Sequence, residues 1–287
     1  MTQLEQRSHQ VWGETKAFPV RSLGDLLNET FAIYGKRFRR IIGLVALVQV
    51  PVGLLALIPN AGVATFAALL VAGLLAAIVV YAVTIGAVGQ HYLTGEIGVG
   101  NSYARVWLRV VSLASLALIL APVLALGAAS LILFFLALGA ASLILFFPAI
   151  ALLILFFLAI ALLGVAVPVV VVEGHRPAAA LRRAFEIVRG SWLRVSGIAL
   201  VILLVMIGLG LLVQIPFALA SYIAAPEGAS ALGSLFRFAG GLLVGVVTLP
   251  VATIAFTLLY YDLRVRMEGY DLNALSQEMG VAAATPA

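Results

Sequence analysis

The residues best suited to chemistry in this sequence are a few isolated histidines and carboxylates. Glu173 and His175 lie two residues apart and could form an acid–base pair, whereas His9 and His91 stand alone. Metal-dependent hydrolysis needs clustered His, Asp and Glu, and the sequence contains no such cluster. The favoured interpretation is that Glu173 stabilises the N-terminus of the helix that follows. We therefore predict no catalytic residue, no metal site, no cofactor and no enzymatic activity, with an intramembrane enzyme as the third possibility.

Two acid–base pairs follow the last long apolar stretch, in YYDLRVRMEGYDL at 260–272. Asp262 and Arg266 are four residues apart, and so are Arg264 and Glu268. Because residues at this spacing share one face of a helix, each pair predicts an ion pair on a helix that continues out of the membrane.

Two glutamines are the most informative polar residues inside the apolar stretches. Gln49 lies two residues before Pro51, which frees the carbonyl of Leu47, so the Gln49 amide could bridge this kink or a neighbouring helix. Alternatively, Gln49 and Gln214 could line a substrate cavity. Ion-coupled transport usually places a charged residue at mid-membrane, and the apolar stretches contain none.

The amino-acid composition indicates which kind of secondary structure must position these residues. Apolar residues make up 64% of the 287 and charged residues 10%, compared with roughly 25% charged in a soluble domain. With about 20 residues per span, the charge-free stretches predict an all-α, polytopic membrane protein with six transmembrane helices. The predicted spans are 41–59, 63–90, 108–134, 145–172, 194–220 and 236–262. The predicted organisation is a tail at 1–20, a membrane domain at 21–272 and a tail at 273–287.

The longest charge-free run, 110–172, contains the phrase LALGAASLILFF twice in succession, at 124–147. A shift of twelve residues rotates the second copy by about 120° relative to the first, so the two copies cannot present one face. We interpret the repeat as a tolerated duplication. The third and fourth helices should then be the longest pair or be tilted, with their turn within 134–142 or by Pro148.

The distribution of basic residues predicts the orientation of the protein in the membrane. Of the 17 Lys and Arg, 16 lie in segments that share one side if six helices alternate, and Arg237 is the exception. The positive-inside rule then places both termini in the cytoplasm and the protein in the inner membrane. No basic patch is interleaved with stacking aromatics, which argues against a nucleic-acid partner.

Three amphipathic segments lead into spans, at 21–40, at 101–110 and at 177–195. Leu23, Phe31 and Phe38 belong to an apolar stripe on the first, and Ser22 with Asp25 predicts a capping box. Pro177 suits the first turn of the third. Each amphipathic segment, together with the hairpin of two spans that follows it, would form one unit of a pseudo-repeat.

These segments could be elbows that fix how the spans enter the membrane, or a platform for lipid or a protein partner. The cluster at 36–40 can attract anionic headgroups at about 1 kcal/mol per basic residue. The candidate binding residues are Lys36, Arg37, Arg39, Arg40, Arg182 and Arg183.

Three segments resemble the glycerophosphoryl diester phosphodiesterase membrane-domain family and related six-span proteins of unknown function. They are SLGDLLNETFAIYGKRF, VVEGHRPAAALRRAFEIVRGSW and YYDLRVRMEGYDL, and the resemblance extends over roughly 20–272. It implies the membrane part of that family without the catalytic domain.

The favoured function is a non-catalytic membrane module that binds lipid headgroups or a partner protein. The alternative is a transporter or lipid-translocating protein for a neutral or amphiphilic substrate. The sequence does not predict an oligomeric state.

Overall fold

All regular elements are helices in the computed structural model, which describes residues 20–57, 62–94, 99–107, 109–139, 143–224 and 230–279. The all-α prediction is therefore confirmed over these ranges. In chain order the helices are α1 (Leu23–Lys36), α2 (Phe38–Leu54), α3 (Val63–Thr94), α4 (Val99–Trp107), α5 (Val110–Gly139), α6 (Leu143–Pro168), α7 (Pro177–Val188), α8 (Trp192–Ala224), α9 (Ala231–Glu268) and α10 (Leu272–Met279). A 3₁₀ turn (Leu55–Leu57) follows α2, and a π-helix (Val169–Glu173) extends α6.

Four segments of the described chain are long and apolar enough to cross a membrane, which supports a membrane-embedded protein. They are Val71–Thr94, Ile150–Glu173, Trp192–Ala224 and Ala231–Glu268. A shorter apolar segment occupies Val110–Ile119. Most of the two tails expected at 1–20 and 273–287 lies outside the described residues, and α10 occupies the start of the second.

The break between α5 and α6 falls inside the expected interval, because α5 ends at Gly139 and α6 begins at Leu143. The residues of the turn, 140–142, lie outside the described ranges. Of the two expected outcomes, the one in which these helices are the longest pair is wrong, and their tilt stays a prediction. They have 30 and 26 residues, whereas α8 has 33 and α9 has 38. α9 is longer because it continues as a helix through the charged residues that follow its apolar part.

Polar contacts define two ends of the bundle. At one end, which we call the charged end, Arg21 and Arg194 meet Asp262 near the end of α9. At the other end, the Ser221 hydroxyl donates to the Gly233 carbonyl at 2.9 Å, so the end of α8 lies beside the start of α9. α8 and α9 are therefore antiparallel.

The predicted capping box of α1 is confirmed. The Asp25 amide donates to the Ser22 hydroxyl at 3.2 Å, and the Ser22 amide donates to the Asp25 carboxylate at 3.0 Å. The Ser22 hydroxyl and amide, which also bond this carboxylate, lower the pKa of Asp25.

Apolar side chains lie on both the inward and the outward face of α1. Leu26 and Ile33 are buried against the bundle, whereas Leu23 and Phe31 from the predicted stripe remain exposed, as does Phe38 at the start of α2. In lipid, an outward face gains from being apolar, so hydrophobic periodicity alone does not tell which face packs inward.

Helix α7 begins with Pro177 in its first turn, as predicted. Its inner face is built from small residues, Ala180 and Ala184, both fully buried. Phe185 is half exposed, and its ring meets that of Trp192 edge to face at 5.8 Å between centroids. The corner between α7 and α8 is therefore held by aromatic packing.

The seam between α8 and α9 depends on Gly240. A Cβ at this position would lie 2.7 Å from the Phe217 Cβ and 2.9 Å from the Gln214 Oε1. A Cβ at the neighbouring Gly241 would meet nothing within 4 Å.

Gly240→Ala should destabilise the protein by about 1–3 kcal/mol, because the added methyl overpacks the seam. Gly241→Ala is the matched control and should be neutral or stabilise by up to about 1 kcal/mol through helix propensity. Thermal unfolding in detergent would measure both. Equal melting temperatures for the two variants would contradict the α8–α9 packing described here.

Candidate functional site

Two polar clusters lie on different faces of the last turns of α9. Residues two apart on a helix point in nearly opposite directions, whereas residues four apart share a face. Asp262 and Arg266 therefore serve one cluster, and Tyr260, Arg264 and Glu268 serve the other. We name them the Asp262 cluster and the Glu173 cluster. The first comprises Arg21, Glu29, Tyr92, Arg194, Asp262 and Arg266; the second comprises Glu173, His175, Arg183, Tyr260, Arg264, Glu268, Tyr270 and Glu278.

Asp262 is fully buried and its carboxylate accepts three hydrogen bonds. The Arg21 amide donates to Oδ1 at 2.7 Å, and Arg194 and Arg266 each donate to Oδ2 at 2.9 Å. The two arginines also donate to the Arg21 carbonyl, at 2.6 and 3.0 Å. The main chain at Arg21 is thus held through both its N–H and its C=O. We call this arrangement the Arg21 clamp.

The side chain of Arg21 is only 2% exposed and reaches a different element. Its guanidinium forms an ion pair with Glu29 and donates to the Tyr92 hydroxyl at 3.2 Å. Tyr92 in turn donates to Glu29. Burial opposes the charge of Arg21, but the bond to Glu29 and the nearby negative charges raise its pKa. The cluster therefore ties α1, α3, α8 and α9 together.

The backbone that carries Glu173 is irregular for a reason visible in the sequence. Pro168 lacks an N–H and so leaves the Gly164 carbonyl without its usual helical donor. The Tyr81 hydroxyl donates to this carbonyl at 2.5 Å. The chain then forms the π-helix, a feature common at functional sites, and ends it at Gly174, whose φ is 77°. Glycine adopts this conformation without steric cost.

Arg109, immediately before α5, completes the turn. Its Nη1 donates to the Val170 carbonyl at 2.7 Å and also to the Val171 carbonyl. These bonds satisfy backbone acceptors at the end of the π-helix, where intrahelical donors run out. Glu173 is thereby fixed at the charged end.

Both oxygens of Glu173 are occupied by partners from α7, α9 and the adjoining turn. Tyr260 donates to Oε1 at 2.8 Å, and Arg183 donates to Oε2 at 3.2 Å. His175 Nε2 lies 3.3 Å from Oε2, so the pair suggested by the sequence does meet. Glu173 is only 8% exposed. This geometry suits a structural carboxylate better than a general base, which needs an open lone pair facing a substrate.

Arg264 is the centre of the Glu173 cluster and is 8% exposed. Its Nε donates to Glu268 at 3.0 Å, and its Nη1 donates to the two oxygens of Glu278 at 3.0 and 2.9 Å. The guanidinium carbon lies 3.7 Å from the centroid of the Tyr270 ring, close enough for a cation–π contact. Tyr270 also donates to Glu278 at 2.6 Å, and burial raises the pKa of Tyr270 well above its usual value.

Helix α10 docks on the charged end through few buried side chains. Leu275 is fully buried, and Met279 packs where an added Cβ on Gly89 would collide with its sulfur. A helix of eight residues is too short to be stable alone. Its order therefore depends on these contacts and on Glu278.

The two ion pairs expected from the four-residue spacing both form, at 2.9 Å between Asp262 and Arg266 and at 3.0 Å between Arg264 and Glu268. Both are more buried than a surface helix pair. The sequence did not indicate their long-range partners. Spacing carries no signal for these, because they lie in distant segments: Arg21, Glu29, Tyr92, Arg194 and Glu278.

The candidate basic residues divide into two groups. Arg183 forms ion pairs with Glu173 and Glu268, which raise its pKa although burial opposes its charge. The side chain of Arg182 is 84% exposed, and its one ion pair is with Glu186 on the same helix. The members of the 36–40 cluster are exposed except for Arg37, which is half-buried: Lys36, Arg37, Arg39 and Arg40.

The two glutamines lie in different seams of the bundle. The Gln214 amide packs against Gly240, and the Gln49 Nε2 would be 3.5 Å from a Cβ on Gly245. Gly240 and Gly245 are about 140° apart around α9. The two amides therefore approach α9 from different sides.

The described residues contain no group of three or more His, Cys, Asp or Glu side chains that could hold a metal ion. The chain matches no family model, no curated protein and no solved structure.

Asp262→Asn should lower the free energy of unfolding by about 3–5 kcal/mol, because it leaves Arg194 and Arg266 facing a neutral, buried partner. Glu186→Gln is the matched control, since it also removes a carboxylate from an Arg pair at a spacing of four. That pair is exposed and should contribute at most about 1 kcal/mol. Chemical or thermal unfolding in detergent would separate them. Equal losses would show that the Asp262 cluster is not buried as described.

Proposed function

We propose that this chain is a non-catalytic integral membrane module that binds anionic lipid headgroups. The binding surface would consist of Lys36, Arg39, Arg40 and Arg182, which we call the basic surface. Arg183 is left out because its bonds are internal.

The observation that carries this proposal is that the basic side chains fall into two groups. Some are bonded to carboxylates of the same chain, and others are exposed at the surface. In the two clusters, Arg21, Arg194 and Arg264 each face a carboxylate of the same chain. Lys36 and Arg39 are exposed, and within the described chain their side chains form no hydrogen bond or ion pair. Exposed cations of this second group can bind an anion from outside the protein.

Exposed aromatic residues accompany these cations. Phe31 and Phe38 are 41% and 45% exposed on either side of Lys36, and Phe185 is 49% exposed near Arg182. Apolar side chains beside basic ones are typical of helices that lie at a membrane surface, where rings enter the headgroup boundary and cations meet phosphates.

The proposed topology has six spans, with both termini in the cytoplasm and the charged end facing the cytoplasmic leaflet of the inner membrane. In support, one short helix followed by two long ones occurs twice, as α4–α6 and α7–α9, and α1–α3 has the same order with a second helix of only 17 residues. This order agrees with the proposed pseudo-repeat of lead-in and hairpin. We also propose, on the three sequence segments, membership of the glycerophosphoryl diester phosphodiesterase membrane-domain family.

The alternative, a transporter or lipid translocator for a neutral or amphiphilic substrate, has less support. It needs polar groups that converge on one path. Gln49 and Gln214 instead lie against different glycines of α9.

Replacing Lys36, Arg39, Arg40 and Arg182 together by Gln should weaken binding to nanodisc lipids that contain phosphatidylglycerol. Each basic residue near a charged surface contributes about 1 kcal/mol, so the summed loss should exceed tenfold in affinity. Native mass spectrometry of lipids retained after gentle extraction would measure it. Arg237→Gln is the control, because Arg237 lies at the opposite end and bonds to Ser221.

Unchanged retention of anionic lipid by the fourfold variant, in a protein that still inserts and melts normally, would refute the proposal. Loss of a co-purifying protein, with lipid retention unchanged, would favour a partner-docking role instead.

A further inference from the structure

We propose that α10 is a detachable cap and that Glu278 occupies a binding pocket for the phosphate of an anionic lipid headgroup. The pocket, which we call the Arg264 pocket, consists of Arg264 and Tyr270, with Tyr261 behind the Tyr270 ring. It is separate from the basic surface, so the two proposals stand or fall independently.

The geometry around Glu278 is that of an oxyanion in a binding site. Its two oxygens accept from Arg264 Nη1 at 3.0 and 2.9 Å, and Oε2 also accepts from the Tyr270 hydroxyl at 2.6 Å. A guanidinium and a phenol hydroxyl form equally good, charge-assisted bonds with a phosphate oxygen. The carboxylate therefore has the position and the partners that a bound phosphate would have.

The pocket is built independently of α10. Tyr270 precedes α10, is 4% exposed, and stacks on Tyr261 with 10° between the ring planes and 6.2 Å between centroids. Arg264 is held by Glu268 and by the Tyr260 hydroxyl at 3.1 Å. Both walls of the pocket therefore have partners other than Glu278.

The contacts identify Glu278 as the replaceable member. In the Glu173 cluster, the carboxylates of Glu173, Glu268 and Glu278 face the two guanidiniums of Arg183 and Arg264. Three carboxylates thus face two guanidiniums, so one carboxylate can leave without an unpaired cation remaining. Glu173 and Glu268 each contact both guanidiniums, whereas Glu278 contacts that of Arg264 alone.

The exposure of Glu278 and the short length of α10 also support a detachable cap. The Glu278 side chain is 26% exposed, so solvent reaches the edge of the pocket. α10 spans eight residues and relies on docking for its order. A ligand that displaces Glu278 would therefore release the helix, and the apparent affinity for that ligand would be the intrinsic affinity multiplied by the fraction of molecules in which the cap is open.

The test measures binding of soluble dihexanoylphosphatidylglycerol to the full chain in phosphatidylcholine nanodiscs. The starting protein carries the fourfold Gln replacement of the basic surface, which removes binding there. Glu278→Gln is compared with Gln277→Ala, an exposed change on the same helix. Inorganic phosphate is titrated in parallel to separate a free phosphate from a headgroup, and dihexanoylphosphatidylcholine serves as the zwitterionic control. Because the chain has no cysteine, Gln277→Cys gives a unique spin-label site that reports release of α10.

We expect Glu278→Gln to lower the apparent Kd for the anionic lipid roughly tenfold, because the cap closes less often. Gln277→Ala should leave the Kd unchanged. With Glu278 present, the spin label at position 277 should become mobile as lipid is added. A gain in affinity cannot result from misfolding, so this outcome is specific.

An unchanged or higher Kd in Glu278→Gln would overturn the proposal, as would a label that stays immobile throughout the titration. A Glu278→Gln protein that no longer folds would also overturn it, because the helix would then be an essential part of the core.

Discussion

The cost of burying an ionised group organises this protein. Asp262 is completely inaccessible to solvent and sits at the end of a long apolar helix. A lone carboxylate in such a place would be severely destabilising, so it must be met by cations and amides from elsewhere in the chain. The residues that meet it come from the segment before α1 and from the start of α8. The compensation of one charge thereby fixes where several elements begin and end.

The same requirement applies to buried backbone groups, which water does not reach. Pro168 creates such a gap, and Tyr81 fills it from another helix. The irregular turn that follows is stabilised by Arg109 and brings Glu173 next to α9. A proline that would weaken an isolated helix thus contributes to the formation of the second cluster.

The sequence predicted the apolar elements well, because their length follows from the hydrophobic thickness of a bilayer. The helix expected at 63–90 is found as Val63–Thr94, and the one expected at 194–220 as Trp192–Ala224. Contacts within a helix were equally accessible, since a spacing of four residues is a local rule. Contacts between distant segments were not: Arg21 and Asp262 are 241 residues apart, and no periodicity connects them.

The basic residues show a second limit of the sequence. Arg182 and Arg183 are adjacent and look alike in a charge pattern, yet one is 84% exposed and the other is paired with Glu173 and Glu268. Only the packing of α7 decides which of the two faces outward. Whether a cation can act on an external anion therefore depends on tertiary structure, which composition does not encode.

The Arg21 clamp has a consequence for evolutionary tolerance at that position. Asp262, Arg194 and Arg266 grip peptide atoms, which nineteen of the twenty amino acids present in the same way. Substitutions at position 21 would thus keep the hydrogen bonds to the main chain and change only the side-chain contacts with Glu29 and Tyr92. Proline, which has no N–H to offer Asp262, is the one residue that the clamp itself forbids.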